Sequence, residues 1–259
     1  MSVNNPTLLQ LNEVSRFFGG LAALREVSFE VSAGVICGLI GPNGAGKTTL
    51  LNVLSGLQPV SSGTITLDNK TLTGLKPHQI AALGIGRTFQ NIRLFNELSV
   101  LENVMVGHHL KQRGSLLETI LHLPRSTRAE RATRTEAQEL LQRLNMESLA
   151  KKSAGALSYG DQRRVEIARA LALEPRVLLL DEPAAGMNSH ETEQLSNFLL
   201  ELKSNGLTLL IIEHDMDLIM RISNKVVVLS FGRKLADGSP EEVRNDPKVI
   251  EAYLGDEAA

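Results

Sequence analysis

Tryptophan is absent from this chain of 259 residues, and aromatics make up 3% of it. A protein so poor in rings has little with which to stack a run of nucleobases, which argues against a single-strand nucleic-acid platform. The charge balance agrees. Lysines and arginines number 27 against 29 aspartates and glutamates, a net charge of −2, without the basic surplus that draws a protein to a phosphate backbone. A single cysteine, Cys37, excludes an internal disulfide. Set in an apolar run, it reads as a small buried hydrophobe. No apolar stretch approaches the roughly 20 residues needed to cross a bilayer. The opening Met1-Ser2-Val3-Asn4-Asn5-Pro6 lacks the basic and apolar regions of a secretion signal. The expectation is a cytosolic chain whose membrane contact comes through a partner.

What the chain does have is a sizeable core, with 42% hydrophobic and 22% charged residues, and one informative loop. Gly41-Pro42-Asn43-Gly44-Ala45-Gly46-Lys47-Thr48 fits the G-x-x-x-x-G-K-[ST] pattern directly after the apolar run Val35 to Ile40. A strand entering a glycine loop that opens a helix aims backbone N–H groups at anionic oxygens, and the helix dipole adds to that field. The pattern predicts nucleoside triphosphate binding. Lys47 should reach the β- and γ-phosphates and Thr48 should ligate Mg²⁺. Thr49 is either a second phosphate contact or a hydroxyl that simply begins a helix.

Short apolar runs recur at Val177 to Leu180, Leu207 to Ile212 and Val226 to Leu229. They read as buried parallel strands. Between them Glu191 to Leu202 places Leu195, Phe198, Leu199 and Leu202 at helical spacing. The alternation predicts an α/β core. The first 30 residues and Gly63 to Asp68 read as a small antiparallel sheet beside it. Residues 91–157 show no strand pattern. From Thr127 they read as a helix behind a Thr127-x-x-Glu130 capping box, with Ala129, Ala132, Ala137, Leu140, Leu141 and Leu144 as its apolar positions. Asp181 and Glu182 end the strand at Val177, the edge where open α/β sheets bind ligands. Asp181 suits a metal, directly or through water. Glu182 points elsewhere and suits orienting or deprotonating an attacking water.

Leu157-Ser158-Tyr159-Gly160-Asp161-Gln162 opening a helix resembles the L-S-G-G-Q signature of ABC-type ATPases, with Tyr159 for the first glycine and Asp161 for the glutamine. Ser158 and Gly160, the parts whose hydroxyl and N–H face phosphate in that family, are kept. Arg163 and Arg164 just beyond read as exposed helix arginines. Other family motifs follow in order. Phe18 resembles the aromatic that stacks on adenine, with Phe17 as rival and a core role open for both. Gln90 resembles the glutamine that joins the metal site to the helical subdomain. His214 resembles the switch histidine at the γ-phosphate. Asn188 stands where the family often has an aspartate that bonds across a dimer.

The resemblance, spanning about Leu8 to Gly255, implies a P-loop ATPase core with an antiparallel β subdomain and an inserted α-helical subdomain. Its expected parts are 1–90 for the β subdomain and phosphate-loop part of the core, 91–160 for the helical signature subdomain, 161–237 for the rest of the core and 238–259 for a helical tail. It also implies ATP and Mg²⁺ as ligands, with ATP sandwiched between the phosphate loop of one chain and the signature of another. A single set of motifs therefore implies a second ATPase, a paralogue or another copy of this chain.

Tyr159 to Ile167, Asp181 to Asn188 and Asp246 to Gly255 look most like the larger ATPase subunit of bacterial branched-chain amino acid importers. That resemblance implies two transmembrane permease subunits, a periplasmic binding protein acting indirectly, no nucleic acid, and a peripheral place on the cytoplasmic face of the inner membrane. Urea or amide importers and a lipopolysaccharide exporter are related alternatives. ABC ATPases acting on DNA or ribosomes carry coiled-coil insertions, zinc-binding cysteines or doubled motifs, and this chain has none of these.

Two features remain open. Lys111, Arg113, Arg125, Arg128, Arg131 and Arg134 outnumber the acids Glu118 and Glu130 in their segment. They read either as a solvated face or as a stripe toward membrane subunits or anionic headgroups. Phe95, Leu98 and Leu101 read either as the floor of a groove for a membrane subunit or as core. The adjacent pair His108-His109 lacks a third ligand nearby and is not read as a metal site.

Overall fold

The computed structural model describes residues 5–108 and 124–254. They form two compact units, one of residues 1–90 with 176–259 and one of 91–175.

In the first unit two long strands, β1 (Thr7–Phe18) and β2 (Leu21–Ser32), pair antiparallel around the turn Gly19-Gly20. With β4 (Ser62–Leu67) and β5 (Lys70–Thr71) they make a four-stranded sheet in the order β2-β1-β4-β5. Alternation drives it, since Leu9, Leu11, Val14, Leu24, Val27, Phe29 and Val31 are buried while polar residues between them face out. The second sheet holds β3 (Ile36–Ile40), β6 (Ile85–Arg87), β7 (Val177–Asp181), β8 (Thr208–Ile212), β9 (Lys225–Ser230) and β10 (Arg233–Gly238). Its order is β10-β9-β3-β8-β7-β6, parallel except for the β9–β10 hairpin. Strands β3, β7 and β8 are buried at every residue, as continuous apolar runs covered on both faces must be.

Helices α1 (Lys47–Leu54), α2 (Pro77–Leu83), α6 (Ser189–Ser204), α7 (Met216–Ile222), α8 (Pro240–Arg244) and α9 (Pro247–Leu254) complete this unit. Leu50, Leu51 and Leu54 of α1 are completely buried, each worth about 2 kcal/mol of hydrophobic stabilisation. In α6 the four apolar positions read from the sequence are all buried. Cys37 is fully buried too, and burial pushes its thiol up to about 12.

The second unit contains α3 (Val100–His108), α4 (Pro124–Arg143) and α5 (Tyr159–Leu171), with 3₁₀ turns at Glu147–Leu149 and Ala154–Ala156. It runs to 175 rather than 160, because α5 packs on α3. Gly107 permits that packing: a Cβ there would lie 2.2 Å from the Arg169 carbonyl oxygen. Helix α4 opens at Pro124, a favoured first helical residue, so Thr127 stands inside the helix rather than capping it. Ala137, Leu140, Leu141 and Leu144 are buried as expected, while Ala132 is exposed. Arg131 and Arg134 face solvent. Lys111, Arg113, Glu118 and His109 lie outside the described residues, as do the side chains of Arg125 and Arg128. Leu101 is core, Leu98 half-buried and Phe95 exposed, so the expected trio divides. Arg163 corrects the exposed reading of the signature helix. Its side chain is wholly buried, with Nη1 donating to Glu166 at 2.7 Å. Burial raises the Glu166 carboxyl, and Arg163 pulls it back.

Candidate active site

Strand order brings the chemistry together. Strands β3, β8 and β7 are neighbours, so the loops leaving their C-terminal ends converge. These loops carry Gly41 to Gly46 after β3, Glu213 and His214 after β8, and Glu182 after β7.

The phosphate loop depends on glycine at Gly46, which caps α1 at φ 100°. A Cβ there would meet the Ala23 carbonyl oxygen at 2.6 Å, so only glycine fits. The loop is tied by Gly232, whose N–H donates to the Ala45 carbonyl at 3.0 Å. Burial pushes the Tyr253 hydroxyl up to about 12, and the Gly41 backbone opposes that shift. Lys47 is buried, and its Nζ donates to the carbonyls of Gly41 (2.5 Å) and Pro42 (2.9 Å). An open cavity of about 690 Å³ adjoins the loop, lined by Asn43 to Thr49 together with Phe18, Glu182, His214 and Phe231. Phe18 lines it and its rival Phe17 does not; both are exposed, which removes the core reading.

Glu182 is held between two partners. Gln90 Nε2 donates to its Oε2 at 2.7 Å, and His214 Nε2 lies 2.8 Å from its Oε1. Its backbone sits at φ 48°, a left-handed conformation unusual for a glutamate and a local cost accepted at this point. Below it Glu213 is buried and accepts from the N–H groups of Ala184 (2.6 Å) and His214 (3.2 Å). Burial raises its carboxyl; the N–H donors oppose that shift without cancelling it.

Asp181 is buried and carries a partner that sequence reasoning missed. Arg87 Nη2 donates to its Oδ2 at 3.2 Å, while Nη1 donates to Asn52 Oδ1 and Ser55 Oγ, both at 2.8 Å. Arg87 thereby ties the last turn of the phosphate-loop helix to the end of β7. Its place three residues before Gln90 was the available signal.

Thr48, Gln90 and Asp181 supply hydroxyl, amide and carboxylate oxygens, a donor set suited to Mg²⁺. Among the described residues no three His, Cys, Asp or Glu side chains form a ready-made metal cage.

Ser158 and Gly160 belong to the other compact unit. Ser158 caps α5 and its hydroxyl accepts from the Asp161 N–H at 3.2 Å; Gly160 lies in the first turn. Asn188, where the family often has an aspartate, caps α6 with a reciprocal bond to Glu191.

Residues 24–185 match the family model for ABC transporters. The chain belongs to that family. Residues 233–259 match a second model, that of branched-chain amino acid ATP-binding cassette transporters. As a member of the family the chain is an ATP-binding, ATP-hydrolysing cassette. Its close homologues are branched-chain amino acid transport ATP-binding proteins. It is 46% identical to the high-affinity branched-chain amino acid transport ATP-binding protein LivG of Salmonella typhimurium, covering 96% of this chain and 98% of the relative. It is 44% identical to BraF of Pseudomonas aeruginosa, described in the same words, over the same shares. Among solved cassettes, the ADP conformation of MJ1267 superposes with a TM-score of 0.83 at 33% identity, covering 97% of this chain and 100% of that one. A dimeric post-hydrolysis state of the cassette MJ0796 with ADP and Pi gives 0.72 at 27% identity, covering 90% and 99%. The cassette carries no helix, among its described residues, long and apolar enough to cross a membrane.

Proposed function

We propose that this chain is the ATPase subunit of a membrane transporter that imports branched-chain amino acids, working as one half of a nucleotide-sandwich pair at the cytoplasmic face of the inner membrane. The observation that carries the catalytic part is Glu182, fixed between Gln90 and His214 at a cavity that the phosphate loop also lines. Lys47 leaves its two loop carbonyls for the β- and γ-phosphates. Glu182 orients water and accepts its proton as the water oxygen attacks the γ-phosphorus and the bond to ADP breaks. His214 holds the Glu182 carboxylate and stands ready for the γ-phosphate, and Phe18 stacks on adenine. Thr48, Asp181 and Gln90 would hold Mg²⁺, which when bound neutralises charge between the β- and γ-phosphates. The Ser158 hydroxyl and Gly160 N–H of this chain close the sandwich over the phosphates held by a second ATPase.

The substrate reading rests on the close homologues and on the C-terminal match to branched-chain cassettes. The full assembly then comprises a second ATPase, two permease subunits and, indirectly, a periplasmic binding protein. Affinity purification of the tagged chain from solubilised native membranes, with mass spectrometry, tests it. Two polytopic proteins and a paralogous ATPase are expected. Ribosomes or DNA-associated proteins in their place would overturn the transport reading while leaving the ATPase intact.

A further inference from the structure

Strands β9 and β10 are joined by two residues, Phe231 and Gly232, with Ser230 and Arg233 paired across the turn. Both central residues have positive φ, 46° and 75°, the two-residue turn whose first position favours Asn, Asp or Gly. A phenylalanine there breaks the local rule. It is also 90% exposed, so its ring gains nothing from the core. A bulky ring that is strained in its backbone and uncovered in its side chain points to a site rather than to packing.

The turn cannot drift from the phosphate loop. Gly232 donates to Ala45 on one side and accepts from the Arg25 N–H at 2.7 Å on the other. Across the cavity stands a second hairpin tip, β1–β2, where Phe18 pairs with Leu21 around the two glycines. Leu21 is 70% exposed and lines the same cavity as Phe18 and Phe231. The guanidinium of Arg16 lies over the Phe18 ring, 4.5 Å from its centroid. One face of that ring is therefore taken, and one remains for a ligand.

We infer that Phe231 is a second aromatic surface for the nucleobase, so that the base of a nucleoside triphosphate seated on Gly41 to Thr48 contacts the tips of both hairpins. The inference rests on the reading that this loop holds the triphosphate. It adds a base-recognition residue from the far end of the chain. The ring supplies an apolar face to any base, so it sets affinity for nucleoside over bare phosphate more than choice among bases.

The test separates base from phosphate. Phe231→Asn restores a residue the turn prefers, so its melting temperature should equal or exceed that of the parent. Its dissociation constant for ATP should rise about tenfold, as expected for loss of one stacking surface, while that for inorganic tripolyphosphate stays unchanged. Since the chain lacks tryptophan, Phe231→Trp creates a single reporter. Its emission should shift or quench with ATP and not with tripolyphosphate. Three results overturn the inference: unchanged ATP binding in Phe231→Asn; parallel weakening of ATP and tripolyphosphate, which marks damage to the loop; or intact ATP binding with lost ATP-driven self-association, which assigns the ring to a second ATPase. Failure of the parent itself to bind either compound would instead sink the phosphate-loop reading.

Discussion

Glu182 bonds to two side chains from different elements, so its isostere keeps the site's shape while losing its basicity. Glu182→Gln is expected to bind ATP with an affinity within about twofold of the parent and to release phosphate at least 10²-fold more slowly. Phosphate release above a tenth of the parental rate would remove Glu182 from proton transfer. Glu213, one residue before His214, behaves differently because it titrates against burial. Its carboxyl is raised above 4.5 by burial, against the N–H groups of Ala184, His214 and Asp215. A carboxyl raised in the folded state contributes stability that is complete below its unfolded pKa and is lost as pH rises through the folded value. Glu213→Gln removes that loss but keeps an acceptor for Ala184. The difference in melting temperature, variant minus parent, should therefore be more positive at pH 7.5 than at pH 4.5. An equal difference at both values would show that Glu213 does not titrate between them.

At the scale of elements, the signature serine has a structural task besides any phosphate contact. Ser158 satisfies one of the free N–H groups at the start of α5. Ser158→Ala should cost about 1 kcal/mol in urea denaturation. Ser158→Asn caps equally well, so it should retain stability while losing ATP hydrolysis in the assembled complex. Retained hydrolysis in Ser158→Asn would limit Ser158 to capping. Elements also show which parts of the fold were legible. Strands β3, β7, β8 and β9 announce themselves as short apolar runs, because a strand covered on both faces is apolar through its middle. Ile85–Arg87 and Arg233–Gly238 escaped because one is three residues long and the other is an edge strand with charged residues. Lys47, Asp181 and Glu182 were legible from the loop pattern and from the buried strand that ends in two acids, while Gln90 and His214 were legible only through the family resemblance. Arg87, Phe231 and the burial of Arg163 were not. An arginine looks like surface until a partner such as Glu166, three residues on, is known to be buried with it. A phenylalanine beside a glycine says nothing of the loop it will touch.

At the scale of the molecule, the nucleotide site is assembled from distant parts of the chain. Strand β3, which delivers the phosphate loop, lies between β8 and β9, and the loop itself is fastened by Gly232. A chain ended at Asn224 would keep Lys47, Asp181, Glu182 and His214. It is nevertheless expected to bind no ATP in equilibrium dialysis, because β3 would lose one neighbour and Ala45 its anchor. Full-affinity binding by that fragment would show that the loop holds its shape without the second hairpin.

This arrangement has a consequence on the ribosome. The codons for the strand and turn that complete the phosphate loop are read nearly two hundred residues after those for the loop itself. At roughly 5–20 residues per second the nascent chain spends on the order of ten to forty seconds with the motif outside the tunnel and the site unmade. A message truncated ahead of the codons for that strand and turn therefore yields a fragment that displays the nucleotide motif and leaves the cell's ATP untouched.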